Sequence, residues 1–240
     1  MIASCANGGV QRVCSTQRFR YAVFDMNEAS ATGGAIAAVQ FTGAPDGAGF
    51  PTADAWNSAK PVRFAADWRG TNEDQLRETE VRILWTNQIF HLRFRCRYRT
   101  LTVFADGDSD GRRDQLWDRD VAEVFIQTEP SQPQHYLEFE ISPNGMWIDL
   151  DISPGEKRDS RSGMKSRVNL HEAGKVWTGE IAIPMRSLTR QFDQAAKWRI
   201  NFFRVEGATE PRFYSAWHPT FTPAPNFHVP KAFGTLYFHK

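Results

Sequence analysis

The stretch Tyr136-Leu-Glu-Phe-Glu-Ile-Ser142, then Pro143-Asn144-Gly145, then Met146-Trp-Ile-Asp-Leu-Asp151, sets two alternating runs about the dipeptide Asn144-Gly145. Asn-Gly between alternating apolar residues is the strongest short-range hairpin signal. Read as a two-residue loop, it pairs Ser142 with Trp147, Ile141 with Ile148, Glu140 with Asp149, Phe139 with Leu150 and Glu138 with Asp151. Side chains alternate along a strand, so Phe139, Ile141, Ile148 and Leu150 then form an apolar face. Glu138, Glu140, Asp149 and Asp151 form the opposite one, with Trp147 at its turn end. Like charges on adjacent strands repel. This face therefore needs the Arg93, Arg95, Arg97 ladder of a neighbouring strand, a bound cation or a hydrated polar groove.

The same alternation recurs on either side. In 91–97, Leu92, Phe94 and Cys96 point one way and the three arginines the other. Further strands are expected at 79–85, 89–98, 121–128, 135–142, 146–152, 166–171, 176–183, 198–206, 212–217 and 234–238, with one short helix after Pro184, near 185–190. Many short strands between turn signals mark a sandwich or barrel. The fold class is all-β, an antiparallel, jelly-roll-like β-sandwich. Residues 1–50 are rich in Gly, Ala and Ser, with one strand at 19–24 and a Gly/Pro-punctuated loop at 42–51. They read as a partly irregular N-terminal extension, and 51–240 as the sandwich domain.

Lys and Arg total 29 against 28 Asp and Glu, a net charge of +1, so no basic field draws nucleic acid or an anionic membrane. No apolar run approaches the ~20 residues of a membrane helix, and no signal peptide is legible at the start. Cys5, Cys14 and Cys96 have no metal-ligand spacing: Cys96 reads as a buried strand thiol, while Cys5 and Cys14 are free to pair in a secreted protein. The surplus is aromatic, 8 Trp and 18 Phe, more than a core of this size needs.

Two constellations carry possible chemistry. Asp106, Asp108 and Asp110 alternate before Gly111, with Asp114 following. This is the pattern of a loop holding calcium, an ion that takes six to eight oxygens. The acid expected at the twelfth position is Trp117, and the alternative is a solvated acidic turn. Carboxylates of the 136–151 hairpin could also serve a glycoside hydrolase, which needs two acids about 5 to 9 Å apart. The six histidines have no paired spacing, and there is neither a phosphate loop nor a nucleophile elbow.

From Val81-Arg-Ile-Leu-Trp85 through Leu116-Trp-Asp-Arg-Asp-Val-Ala-Glu-Val-Phe-Ile126 and Trp177-Thr-Gly-Glu-Ile-Ala-Ile-Pro184 to Phe227-His-Val-Pro-Lys-Ala-Phe-Gly-Thr-Leu236, order and spacing resemble the family-nine-like carbohydrate-binding modules. The resemblance implies a sandwich in which two aromatic rings clamp a terminal sugar, often with structural calcium and at the cell surface or outside the cell. On it, Trp117 is the first ring, Phe227 the second, and Glu123 the acid that bonds sugar hydroxyls, with Asn226 adding an amide. Glu140 stands where the family has a sugar-contacting Arg and cannot donate in its place. Trp217 is a third ring candidate.

A pyranose has an apolar C–H face and a hydroxyl rim, which suits flat rings with a few polar groups. About 100 Å² covered on each of two rings, at ~25 cal/mol/Å², amounts to roughly 5 kcal/mol before losses. The expectation is a binder of oligo- or polysaccharide that supports polysaccharide catabolism, alone or beside a degradative enzyme. The competing readings are the hydrolase above and a protein-interaction module.

Overall fold

The central turn is one residue longer than its dipeptide implies. In the computed structural model, which describes residues 34–108 and 110–240, the Ser142 N–H donates to the Met146 carbonyl at 2.8 Å, and the Gly145 N–H to the Ser142 carbonyl at 2.9 Å. Gly145 adopts φ +89°, the left-handed conformation that closes a three-residue hairpin loop at no steric cost. Strand β6 (Tyr136–Ile141) therefore meets β7 (Trp147–Ser153) with Ile141 opposite Trp147, Glu140 opposite Ile148 and Glu138 opposite Leu150. A slip of one residue turns every side chain of a strand to the other face. The expected four-carboxylate face is thereby split. Glu138 and Glu140 share a face with Ile148 and Leu150, while Asp149 and Asp151 lie on the opposite one. There Asp149 accepts from the Ser162 amide at 2.7 Å and its hydroxyl at 2.6 Å, and Asp151 meets His135 at 2.9 Å.

The remaining expected strands form: β3 (Thr79–Trp85), β4 (Ile89–Arg97), β5 (Val121–Gln127), β9 (Lys165–His171), β10 (Val176–Pro184), β11 (Trp198–Glu206), β12 (Phe213–Ala216) and β13 (Gly234–His239), with helix α1 (Met185–Leu188) directly after Pro184. Three strands had no legible signal: β1 (Ala35–Gln40), β2 (Val62–Phe64) and β8 (Glu156–Asp159). β8 is Glu-Lys-Arg-Asp, exposed throughout, and has no apolar alternation to read. β1 is alanine-rich, and alanine has little preference for strands. It nevertheless lies inside the sheet although the sequence placed it in an extension. The expected strand at 19–24, and Cys5 and Cys14, lie outside the described residues.

The strands follow the order β8-β7-β6-β5-β11-β13-β1-β3-β4-β10-β9, with β12 on β11 and β2 on β3. The ladders are antiparallel except at β1, which runs parallel to both β13 and β3. The curled sheet folds over itself: Val124, Phe139 and Phe202 from the β5–β11 side share one core with Leu92, Phe94 and Trp177 from the β3–β10 side. Phe94 and Phe202 meet edge-on at 6.3 Å across the layers. This is the expected all-β sandwich. Cys96 sits in the core as a free thiol, pushed up to about 11 by burial.

The arginine ladder serves the other layer. β4 pairs with β10 and β3, placing Arg93 opposite Glu180 and Arg95 opposite Glu80. It does not neutralise the acids of β6, because β4 and β6 lie in opposite halves of the sheet order.

A second apolar cluster fills the outer face of β5, β6, β7 and β11, where Val121, Phe125, Tyr136, Ile148 and Phe203 are roofed by Leu116, Phe227 and Phe233 from the connecting loops. A sandwich face that would ordinarily meet water is thus covered, and the roof leaves an opening.

Candidate functional site

On β5, Glu123 alternates with Val121 and Phe125 and so points out of the main core with them. The register places Glu140 of β6 directly opposite Glu123, and Glu138 opposite Phe125. The three carboxylates therefore occupy one wall, each with an oxygen within 4.8 Å of the others'. Glu123 and Glu138 are 2% exposed and Glu140 is fully buried. Among the described residues, neither Glu140 oxygen has a hydrogen-bond partner, nor does Glu123 Oε1 or Glu138 Oε2. Burial holds the Glu123 carboxyl well above the usual carboxylate range, and Glu138 beside it pushes the same way. Glu140 is raised for the same reasons, burial first and then the charges of Glu123 and Glu138, with Lys157 acting against the shift.

The loop before β5 ends in a short 3-10 turn, Leu116–Asp118, entered through Gln115 at φ 55°. That turn buries Leu116 and leaves the Trp117 ring half-buried at the rim. Arg212 donates to the Trp117 carbonyl at 2.9 Å and holds the turn. From β8, the Lys157 ammonium lies 3.4 Å above the Trp117 ring. Across the opening, Phe227 stacks on Phe203 at 4.3 Å and 13°, so one face of its ring is spent on packing. The neighbouring Asn226 side chain accepts from the His228 amide at 3.0 Å, and the His228 ring meets the Tyr136 hydroxyl at 2.7 Å.

These groups enclose a cavity of about 320 Å³ with Trp117, Glu123, Glu138, Lys157, Asn226 and Phe227 in its walls, near the lower bound of ~300–1,000 Å³ for small-ligand pockets. Four residues singled out in the sequence thus meet at one place: Trp117, Glu123, Asn226 and Phe227. Glu140 lies beneath the floor with the other acids. Trp217 is elsewhere: directly after the end of β12 it turns inward and packs on Phe202 at 5.3 Å against the main core. Lys157, Arg212 and Tyr214 also line the cavity and were missed. The polar β8 and the loop around Arg212 have no pattern that distinguishes a pocket residue from a solvated one.

The acids of the 106–114 loop do not gather. Asp106 pairs with Arg113 at 3.6 Å and Asp114 with Arg112 at 3.4 Å, both acids largely exposed. Asp110 accepts from the Arg112 amide at 3.0 Å. Among the described residues no three of these four bring oxygens within 4.8 Å of one another, so their arrangement does not fit a calcium cradle.

A family model described as carbohydrate family 9 binding domain-like matches residues 46–240. An extracellular protein of Arthroderma benhamiae is 26% identical over 178 residues, 67% of this chain and 78% of that protein. Among solved structures, a candidate carbohydrate-binding protein from Bacteroides uniformis superposes with a TM-score of 0.69 at 18% identity, covering 86% of this chain and 100% of the other. A family 9 module from Caldicellulosiruptor kristjanssonii, solved with cellotriose, gives 0.59 at 13% identity over 86% of this chain and 94% of the module. At these identities the superpositions establish a shared fold.

Proposed function

Because the chain belongs to the carbohydrate family 9 binding domain-like family, we propose that it binds carbohydrate in the cavity between Trp117 and Phe227, and so supports polysaccharide catabolism. One observation carries the reading: residues more than a hundred positions apart in the chain, Trp117 and Glu123 with Asn226 and Phe227, line a single small cavity. Trp117 supplies the stacking platform. Phe227 is 9% exposed and acts as a wall, so the grip is asymmetric. Stacking on one indole contributes about 2.5 kcal/mol, and two or three hydrogen bonds from Lys157, Asn226 or Arg212 add about 1 kcal/mol each. The sum corresponds to a dissociation constant of about 0.1–1 mM. Lys157 must slide off the indole as the sugar arrives, exchanging a cation–π contact for a hydrogen bond to a hydroxyl.

The family 9 module solved with cellotriose makes gluco-oligosaccharides the first ligands to try. Trp117→Ala is expected to abolish retention on a glycan panel while the melting temperature stays within a few degrees, since Trp117 is half-buried at the rim. Undiminished retention by that variant would remove Trp117 from the site. The hydrolase reading finds less support. Glu138 and Glu140 lie on the cavity's face of the 136–151 hairpin and Asp149 and Asp151 on the other, whereas glycoside cleavage needs two carboxyl groups flanking one bond. Calcium on the 106–114 loop is tested by melting with and without chelator; to bind there it must displace Arg112 and Arg113 from their acids.

A further inference from the structure

We propose that Glu123, Glu138 and Glu140 form a binding site for one hard divalent cation of the calcium or manganese type, placed so that hydroxyls of the bound sugar complete its coordination. The cavity half of this statement rests on the carbohydrate reading; the cation site does not.

Three features converge. Two adjacent strands in register bring three carboxylates to one point, with donor oxygens within 4.8 Å of one another. Oxygens bound to one ion at about 2.4 Å lie no more than about 4.8 Å apart, so this spacing allows all three to reach a single ion. The donors are all oxygen, the set that suits calcium, magnesium or manganese. Independently, Glu140, the deepest member, is fully buried, and neither of its oxygens has a hydrogen-bond partner among the described residues. A buried carboxylate without a partner is costly, and elsewhere this chain avoids that cost. Glu80 and Glu180 each meet a guanidinium within 2.9 Å.

Charge balance selects the class of cation. Three carboxylates and a dication leave one negative charge, and Lys157 in the cavity wall can match it. An ammonium on the ligand would leave two. The site also opens the right way, since Glu123 and Glu138 line the cavity while Glu140 lies behind them. An ion there presents its free positions to the space a sugar would fill, where vicinal hydroxyls can replace waters. Such an ion gives this floor an electrophile for sugar oxygens, which Glu140 by itself cannot be.

The test uses the full chain stripped with chelator, terbium(III) as a luminescent calcium probe excited through tryptophan, and calcium and manganese by calorimetry, all without sugar. One equivalent is expected to bind, with Glu140→Gln and Glu138→Gln each weakening it at least tenfold. Asp108→Asn with Asp110→Asn should leave that binding in place. These glutamines keep the side-chain shape; circular dichroism and melting verify the fold. No binding at millimolar calcium or manganese overturns the proposal, as does binding that survives Glu140→Gln or is lost in the Asp108, Asp110 double variant. A second arm measures glycan retention with calcium and with chelator. Retention that needs the ion supports the bridging role, and retention indifferent to chelator overturns that role while leaving carbohydrate binding intact. Binding of glucosamine oligomers alone, abolished by Glu140→Gln with no ion uptake, would assign the acids to a ligand ammonium and overturn the metal. An ion bound with no glycan retained sustains the cation site and counts against the carbohydrate reading.

Discussion

Two sets of buried acids in this sandwich are handled in opposite ways. In the β3–β4–β10 layer, Glu80 is held by Arg63 and by Arg82 at 2.8 Å. Glu180 is held by Arg167 at 2.9 Å, with Arg93 opposite it on β4. At the rim Glu206 receives Arg77 at 3.0 Å and the Arg99 amide at 3.2 Å. On β5 and β6, Glu123, Glu138 and Glu140 are as deeply buried, yet among the described residues none has a guanidinium within ion-pair reach, and Glu138 alone meets a ring nitrogen, that of His228 at 4.0 Å. Matched acids specify and stiffen a fold. Unmatched ones are tolerated where a ligand supplies what the chain withholds. The difference separates scaffold from site more sharply than burial does.

The largest expected effect breaks the matched set where it is deepest. Arg204 is almost wholly buried, 3.9 Å from Asp120 and 3.7 Å from Glu206. Arg204→Met should cost about 3–5 kcal/mol in urea unfolding, since it strands two buried acids. A loss below about 1 kcal/mol would mean that those acids are matched by other groups.

Next in size is a pH effect on the scaffold layer. Burial, reinforced by the charge of Arg167, pushes His91 down to about 4 from 6.5. The fold therefore holds this ring neutral while the unfolded chain takes up a proton below about 6.5. Stability is full above that value and falls as pH drops towards 4, by about 3 kcal/mol at ~1.4 kcal/mol per unit. Urea midpoints measured from pH 7 to pH 4 should show the fall, and His91→Gln should flatten it.

A direct contrast of the two acid sets comes third. Glu180→Gln weakens a bond to Arg167 and should destabilise by about 1–2 kcal/mol. Glu140→Gln replaces a carboxyl whose ionisation burial opposes and which has no hydrogen-bond partner among the described residues, and in chelator should be neutral or stabilising by up to about 1 kcal/mol. Equal losses in the two variants would erase the distinction between the two sets of acids. The smallest effect concerns the cation–π contact of Arg93 over Trp56 at 5.0 Å. Arg93→Leu should cost about 0.5–1 kcal/mol of it, readable as a shift of a few degrees in melting.

Most strands were legible because alternation of apolar and polar residues is a local property, as in Leu92, Phe94 and Cys96 against Arg93, Arg95 and Arg97. What escaped was non-local. The Asn144-Gly145 dipeptide announces a turn whichever of two lengths closes it, and only the cross-strand bonds from Ser142 to Met146 select three residues over two. That one residue moved Asp149 and Asp151 away from Glu138 and Glu140. The separate register of β6 on β5 set Glu140 opposite Glu123. Likewise, the arginines of β4 were recognisable as a ladder, but sheet order gave them Glu80 and Glu180 for partners.

By itself the chain determined the all-β class and the strand set from β3 onward save β8, because periodicity is written in consecutive positions, and its resemblance to a family pointed to four cavity residues. Tertiary structure alone decided that β1 joins the two layers, that Trp217 turns inward, and that Lys157 covers Trp117. It also decided that three glutamates converge on one point, where neither Glu140 oxygen has a hydrogen-bond partner among the described residues. The reason is register: which strand lies beside which, and by how many residues it is offset, depends on the energy of whole faces packing together, and no short window of sequence contains that sum.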